Sequence, residues 1–408
     1  MQNKLVTNDD RQRFIYFPSL SSGNSRYWLL RDRHFENGTH NCTSRFYHKD
    51  YPEKFQHPAF LISAGHCPTA KKTFAEEMGL QDALVMGDSG GHQIATGAVP
   101  WDALKKKRDE IFEWLEETSD ISMNLDIPPR VTYENRFQEA LEISLENFRY
   151  FADKQTGKTD FVNILQVRSE GETAAWYNAV KGLPFKGWGI GSAGSIRKIM
   201  YTVALLLENG EFDKKDNQWF HYLGVTNVSY LFLLSMLQRQ FNQRYHGRVK
   251  FSTDSSSPNR ATIFGQYYFN VEWKKMAYMA MTFPKNGVEY DKSMPLPCEL
   301  DCPACAGRTF EAVAGFDEYS YMTMTNHNMH IFQWIIENVN KIVDCPTEVM
   351  NTILPSDFIK LYNSIGEMLE SDKPLNIYAK YTHLYDKLSS TYNITGDNTV
   401  MEKFFKFD

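Results

Sequence analysis

Short apolar runs alternate with longer amphipathic segments along most of the chain. Seven runs have the length of β-strands, at residues 59–63, 83–87, 121–126, 161–167, 185–191, 221–225 and 248–253. Apolar residues recur at helical spacing in segments between and after them, at residues 135–154, 194–210, 226–241 and 326–343. The second helical segment starts at a serine cap and ends at Gly210. An alternation sustained over roughly 200 residues predicts a parallel sheet, open or closed.

Polar residues fall at or just past the carboxyl end of six of these runs. They are Asp88, Asp126, Gln166, Ser192, Thr226 and Asp254. In a (β/α)8 barrel all strands open onto one rim, which carries the active site. In an open doubly wound sheet only the strands beside the switch point would contribute. Six contributing strands therefore favour an α/β fold of the TIM-barrel type.

Cysteines are few, but three of them are clustered. Cys298, Cys302 and Cys305 fall within eight of the 408 residues, so the chain does not resemble a disulfide scaffold. In a reducing compartment such a cluster is typical of metal ligands, and a closed structural zinc site is favoured over free buried thiols. The cysteine-rich loop lies where the strand–helix alternation weakens. We expect an N-terminal segment at 1–50, a TIM barrel at 51–345 with a zinc-binding insertion at about 295–330, and a C-terminal helical extension at 346–408.

The net charge bears on nucleic-acid binding, and the N-terminal sequence bears on the cellular location of the protein. The formal net charge is −6 and the isoelectric point is about 6.0, which argues against a general nucleic-acid coat but not against a local basic face. Residues 105–108 and 239–250 are the candidates for such a face, and solvated helix surfaces are the alternative. The N-terminus has no secretory h-region, and no apolar run is long enough to span a bilayer. We expect a cytoplasmic protein that is not inserted in a membrane.

Two carboxylates and a pair of polar side chains indicate chemistry on a nucleoside. Asp88 and Asp254, facing one site, could divide the work at a glycosidic carbon, one as nucleophile and the other moving protons. The alternative is that either one caps a helix or pairs with a neighbour such as Arg260. Asp126 and Gln166 offer an acceptor and a mixed donor and acceptor, which suits the Watson–Crick edge of a guanine-like base. The glycines at 187–191 could present backbone groups to the same base.

The chain resembles the tRNA-guanine transglycosylases, and more closely their DNA-acting relatives of the 7-deazaguanine DNA-modification type in phages and bacterial islands. Eight segments carry the resemblance in family order: GDSGGHQ, LDIPPR, ILQV, GWGIG, YLGV, TDSSSPNRATIFG, CELDCPAC and NHNMH. The resemblance implies a TIM-barrel base-exchange enzyme with a structural zinc. Asp254 would be the nucleophile and Asp88 the general acid and base. The base would be contacted by Asp126, Gln166, Gly187, Trp188 and Leu223.

Three departures from the family shape the expected substrate. His92 stands where the tRNA enzymes carry a stacking Phe or Tyr, and Ser192 stands where they carry Glu. The serine favours a neutral 7-cyano-7-deazaguanine over an aminomethyl base, and both residues are expected at the base. The first 80 residues do not match the tRNA enzymes, which favours DNA, with tRNA as the alternative. A non-catalytic partner subunit is a further alternative, and the oligomeric state stays open, a homodimer included.

The resemblance also implies the zinc ligands. Cys298, Cys302, Cys305 and His327 would form a Cys3His site. Three residues separate the first two cysteines where the family has one, so Cys298 departs from the pattern. His327 precedes Asn328 as in the family, and His330, one turn later, is its rival.

Overall fold

The fold is described from a computed structural model. It describes residues 12–19, 34–37, 40–43, 57–64, 83–91, 107–129, 136–216, 218–283, 291–298, 302–315 and 318–392. The strands are β1 (Ile15–Pro18), β2 (His34–Asn37), β3 (His40–Thr43), β4 (Ala59–Ser63), β5 (Leu84–Asp88), β6 (Ile121–Met123), β7 (Asp160–Gln166), β8 (Gly187–Gly191), β9 (Trp219–Tyr222), β10 (Lys250–Ser255), β11 (Gln266–Glu272) and β12 (Ala277–Thr282).

Eight of these strands form a nearly closed parallel barrel. Their order is β1-β10-β9-β8-β7-β6-β5-β4, so every strand from β4 to β10 lies beside its neighbour in sequence. The two ends of the sheet meet where Ser19 and Leu61 form an isolated parallel bridge. The register places Ser63 beside Asp88, Gln166 beside Gly191, and Phe17 beside Asp254. This confirms the TIM-barrel prediction and brings the carboxyl ends of the strands to one rim.

The strand β1 lies upstream of the barrel boundary that we expected at residue 51. It is parallel to β10, and all four of its residues are buried. The hydroxyl of Tyr16 donates a hydrogen bond of 3.1 Å to the carbonyl of Ser255 at the far end of β10. The barrel therefore takes its eighth strand from the segment that the sequence analysis left outside it.

Helices cover the outside of the barrel and continue beyond it. They are α1 (Arg108–Thr118), α2 (Phe137–Lys154), α3 (Glu170–Val180), α4 (Ile196–Glu208), α5 (Val228–Tyr245), α6 (Ser257–Ile263), α7 (Glu311–Ala314), α8 (Glu318–Asp344), α9 (Thr347–Ile353), α10 (Ser356–Glu370) and α11 (Pro374–Thr391). The side chain of Ser195 caps α4 by accepting a hydrogen bond from the backbone of Lys198, as the pattern predicts. In the described part of the chain, no helix combines the length and apolar character needed to cross a membrane.

The chain after β10 adds a small subdomain and a helical extension to the barrel. The antiparallel hairpin β11–β12 packs against the long helix α8, and the cysteine-rich loop lies between them in sequence. The three helices α9 to α11 follow, with α11 packed along α4 and α10 packed on α5. The helices α9 to α11 all fall after residue 346, and the cysteine-rich loop precedes α8.

Candidate active site and metal centre

A cavity of about 430 Å³ opens at the carboxyl end of the barrel. Six of the predicted site residues line it: Asp88, Asp126, Gln166, Ser192, Leu223 and Asp254. They come from the ends of six strands, β5 to β10, because parallel strands of a barrel deliver their last residues to the same rim. Ser63, Gly91, Gly191 and Arg260 line the same cavity. Three carboxyl groups and one guanidinium therefore share this space.

Asp254 occupies an inward position near the end of β10. Its Oδ1 accepts a hydrogen bond of 2.8 Å from the backbone N–H of Gly224, and it lies 3.2 Å from Nε2 of His221. Its side chain is 15% exposed, and it faces the cavity. Among the described residues it forms no ion pair with Arg260, so that alternative for Asp254 is not realised. The carboxylate is accessible and held by two neighbours on one oxygen.

Asp88 ends the strand β5 on the same rim. The hydroxyl of Ser63 donates a hydrogen bond of 2.9 Å to its Oδ2, and the two residues are register partners. Ser63 was not identified from the sequence, although it is the last residue of a predicted strand run. The rule that strand ends carry the site would have found it.

Three polar side chains form a directional chain beside the two carboxylates. The hydroxyl of Ser192 donates to Oε1 of Gln166 at 2.9 Å, and Nε2 of Gln166 donates to Oδ2 of Asp126 at 2.6 Å. Burial raises the pKa of Asp126 to about 7, the hydrogen bond from Gln166 opposes this rise, and the charge of Asp88 adds to it. Ser192 has a φ of 61°, in the left-handed region that non-glycine residues rarely adopt. The backbone there is held in an uncommon state at the site itself.

Glycines let the backbone come close to this chain of side chains. A Cβ on Gly191 would lie 2.7 Å from Nε2 of Gln166, and a Cβ on Gly91 would lie 3.0 Å from Oδ1 of Asp126. A side chain at Gly191 would displace Gln166, which is 5% exposed and held at both ends. Glycine is therefore required at the end of β8 by the position of Gln166.

Gly187 and Trp188, which the resemblance places at the base, do not join the other predicted residues in this cavity. Both lie at the start of β8, at the end of the barrel opposite the rim, and neither is among the described residues that line the cavity. The indole of Trp188 points outward, where Nε1 donates to Glu211 at 3.2 Å and the ring packs on Tyr177. The glycine of this stretch that reaches the cavity is Gly191. His92 lies outside the described residues.

Three arginines of the basic stretch at 239–250 form hydrogen bonds within the protein. Arg239 donates to the carbonyl of Cys345 at 2.8 Å, Arg244 to that of Leu369 at 2.5 Å, and Arg248 to that of Lys214 at 2.7 Å. These guanidinium groups tie α5 to the helices and loops around it. The stretch is therefore committed to packing rather than forming a free cationic face. Residues 105 and 106 of the other candidate, 105–108, lie outside the described residues, and Arg108 lies 3.4 Å from Glu146.

Four predicted ligands converge beside the hairpin β11–β12. Sulfur atoms of Cys298, Cys302 and Cys305 and a ring nitrogen of His327 all lie within 4.8 Å of one another. None of the three cysteines forms a disulfide. His327, rather than its rival His330, belongs to this group among the described residues. Cys298 joins it despite its unusual spacing, because a loop rather than a regular element carries it.

The chemistry of this group fits a metal ion. Nδ1 of His327 lies 3.5 Å from the sulfur of Cys302, and Nε2 donates a hydrogen bond of 2.5 Å to the carbonyl of Tyr268. The carbonyl fixes the tautomer that leaves a lone pair on Nδ1, directed at the sulfur atoms, as in metal-bound histidines. The ring of Tyr267 stacks on His327 at 3.8 Å. Three sulfur atoms and one oriented imidazole are the ligand types that closed, four-coordinate structural zinc sites use.

The residue after His327 links the metal group to the cavity. The side chain of Asn328 donates to the hydroxyl of Thr262 at 3.1 Å and to the carbonyl of Gln266 at 2.8 Å. It accepts a hydrogen bond of 2.9 Å from the backbone of Tyr268. Asn328 therefore holds α6, which carries Arg260, against the hairpin and α8.

A scan against protein-family models and a search of curated proteins found no match for this chain. The family that the eight sequence segments resemble therefore stays a prediction. The fold and the two sites described above rest on the structure alone.

Proposed function

We propose that this protein is a base-exchange transglycosylase that replaces guanine in DNA with a 7-deazaguanine. The observation that carries the proposal is the cavity shared by Asp88 and Asp254 with the Asp126–Gln166 pair. Two carboxylates suit displacement at a glycosidic carbon, and the amide–carboxylate pair suits a nucleobase. Six residues that the motifs predict for such a site line one space, and their positions span more than half of the barrel.

The polar chain at the end of β7 matches the hydrogen-bonding edge of guanine. The Nε2 group of Gln166 uses one hydrogen on Asp126 and retains a second, which suits the O6 acceptor of guanine. When Asp126 is ionised, its Oδ1 suits the N1–H and exocyclic NH₂ donors. Adenine would present an acceptor to this carboxyl and a donor to the amide N–H, so the arrangement favours guanine.

The reaction exchanges one N-glycosidic bond for another through an aspartyl ester. The target nucleotide leaves the base stack, because its C1′ is not accessible within a duplex. An oxygen of Asp254 forms a bond to C1′ while the C1′–N9 bond breaks, and guanine departs with that electron pair and a proton supplied through Asp88. The incoming 7-deazaguanine loses its N9 proton to Asp88 and attacks C1′, which releases Asp254 as carboxylate. No oxidant or phosphate donor enters this balance.

Ser192 supports a neutral substituent on the incoming base. Its hydroxyl is committed to Gln166, and it carries no charge to pair with an ammonium group. We therefore assign 7-cyano-7-deazaguanine as the incoming base. The Cys3His group would hold zinc, which, when bound, supplies a structural cross-link rather than a reacting group. The ligands come from the loop and from α8, and no barrel strand contributes one.

The test combines two nucleic acids with a panel of bases. Zinc-loaded protein is incubated with DNA duplexes or tRNA together with 7-cyano- or 7-aminomethyl-7-deazaguanine, and the digested nucleosides are analysed by mass spectrometry. We expect the 7-cyano nucleoside in DNA. Exchange in tRNA only would assign the tRNA activity instead, and no exchange in either nucleic acid would refute the proposal.

A matched pair of variants tests the nucleophile. Asp254→Asn keeps the shape of the side chain and removes the attacking carboxylate, so exchange should be abolished. Asp386→Asn is the control, because Asp386 is exposed on α11 and pairs with Arg197 at 2.8 Å. Normal exchange by the Asp254→Asn variant would remove that residue from the nucleophile role.

A further inference from the structure

A column of polar side chains descends from Asp254 into the interior of the barrel. Trp219 and His221 are alternate residues of β9, and Ser252 and Asp254 are alternate residues of β10. The parallel register pairs Ser252 with His221. Because side chains alternate between the two faces of a strand, all four point to the barrel interior. The column is therefore a product of the register between β9 and β10.

The hydrogen bonds in this column can run in one direction only. The indole of Trp219 lies 2.7 Å from the hydroxyl oxygen of Ser252, and it can only donate. Nδ1 of His221 lies 2.8 Å from the same hydroxyl oxygen, and Nε2 lies 3.2 Å from Oδ1 of Asp254. Within the described residues, no other acceptor is available to the hydroxyl proton of Ser252. Ser252 therefore donates its hydroxyl hydrogen bond to the lone pair of Nδ1 of His221.

The direction fixes the state of the imidazole. With Nδ1 accepting from Ser252, the ring proton of neutral His221 is on Nε2 and is donated to Asp254. The other tautomer would turn a lone pair toward the carboxylate and leave the serine proton without an acceptor. An imidazolium, in which both ring nitrogens carry protons, would also leave the serine hydroxyl without an acceptor. Only the Nε2–H tautomer satisfies every donor in the column.

Both hydrogen bonds to Asp254 reach the same oxygen. Oδ1 accepts from the backbone of Gly224 and from His221, while Oδ2 has no hydrogen-bond partner among the described residues. His221 is fully buried, and the ring of Phe17 lies against it at 5.8 Å. A buried ring held on one side by a phenyl and below by a serine has little freedom to move. It fixes the orientation of the carboxylate and leaves one oxygen free.

We propose that His221 is a positioning residue that selects Oδ2 of Asp254 as the attacking oxygen. The proposal rests on the proposed function in one respect, because the attack itself belongs to that reaction. When the Oδ2–C1′ bond forms, Oδ1 becomes the carbonyl oxygen of the ester and keeps its two donors. When the incoming base attacks C1′, the Oδ2–C1′ bond breaks and its electron pair returns to the carboxylate, which the same two donors stabilise.

The tautomer can be tested without any activity. Protein labelled with ¹⁵N-histidine is examined by long-range ¹H–¹⁵N correlation, and His221 is assigned by the signal lost in the His221→Gln variant. We expect the neutral Nε2–H tautomer at pH 7. An Nδ1–H tautomer or an imidazolium would overturn the proposal, whether or not base exchange is detected. Absence of exchange with the expected tautomer would count against the proposed function and leave the column intact.

Kinetics test the consequence for the carboxylate. His221→Leu replaces the imidazole with an apolar side chain and removes the donor, so kcat should fall on the order of 10–100-fold, the range for a hydrogen bond to a charged group. KM for the incoming base should not change, because its contacts lie on Asp126 and Gln166. His221→Gln places an N–H at a comparable distance from the backbone and should restore most of kcat.

Two measurements separate positioning from folding. His383→Leu is the matched control, since His383 is exposed on α11, and it should leave kcat unchanged. Thermal unfolding and metal content of the His221 variants are compared with wild type to establish that the barrel is intact. A folded His221→Leu variant with kcat within twofold of wild type would overturn the proposal. Equal losses in His221→Leu and His221→Gln would overturn it as well.

Discussion

Asp126 makes the stability of the folded protein depend on pH in a predictable direction. Its carboxyl is 6% exposed, and burial is the main cause that raises its pKa from 3.8 to about 7. In the unfolded chain the same group ionises near the ordinary value of about 3.9. Between these two values the folded protein holds a proton that the unfolded chain has lost. The free energy of unfolding therefore falls as pH rises through this interval.

The magnitude follows from the two pKa values. Each tenfold change in proton affinity corresponds to about 1.36 kcal/mol, so the full interval is worth about 4 kcal/mol. The contribution is fully present below pH about 4 and is lost once the pH passes about 7. Between pH 5 and pH 8 the expected loss is about 3 kcal/mol.

Urea unfolding at these two pH values measures the effect. Asp126→Asn keeps an oxygen that can accept from Gln166 and removes the ionisable group, while all other titrating groups are shared with wild type. We expect the wild-type protein to lose about 3 kcal/mol more than the variant between pH 5 and pH 8. Equal pH dependence in the two proteins would refute the argument from burial.

Two other predictions concern the backbone at the rim and the metal group. Gly191→Ala should destabilise the protein, because the methyl group displaces Gln166 from both hydrogen bonds. For the same reason it should weaken binding of the proposed 7-deazaguanine by about 2–4 kcal/mol. Gly194→Ala, where a Cβ meets nothing within 4 Å, should not weaken binding, and calorimetry that finds the two variants alike would contradict the steric reasoning. Cys302→Ser should abolish stoichiometric zinc by elemental analysis and lower the midpoint of thermal unfolding, as chelation of the wild type should. Cys345→Ser, outside the metal group, should leave zinc content unchanged, and zinc retained by Cys302→Ser would exclude that ligand.

The sequence predicts the barrel well because a local run of apolar residues marks most of its strands. Each of the seven apolar runs overlaps one strand, and the helices between them follow the apolar spacing. The strand β1 could not be predicted in this way, because it has only four residues and its partner β10 lies more than 200 positions away in the chain. Its stability comes from completing the barrel, so no local pattern distinguishes it from a loop.

Site residues at strand ends could be predicted from the sequence, and those within the strands could not. Asp88, Gln166 and Asp254 could be found because residues at the carboxyl ends of parallel strands meet. Gly187 lies away from the cavity because the five-residue motif runs the full length of β8, so its first and last residues lie at opposite ends of the barrel. His221 was missed because it lies below the rim. The period-two alternation with Leu223, which faces the cavity, is the signal that points to it.

Asn328 gives the metal group influence over a part of the molecule that it does not touch. The side chains of His327 and Asn328 are consecutive on α8, one directed to the three sulfur atoms and the other to α6 and the hairpin. Loss of the ion would spare the eight strands, since none of them supplies a ligand, but it would free the turn of α8 on which α6 rests. The side of the cavity that α6 forms, with Arg260, would loosen while the strand ends kept their positions.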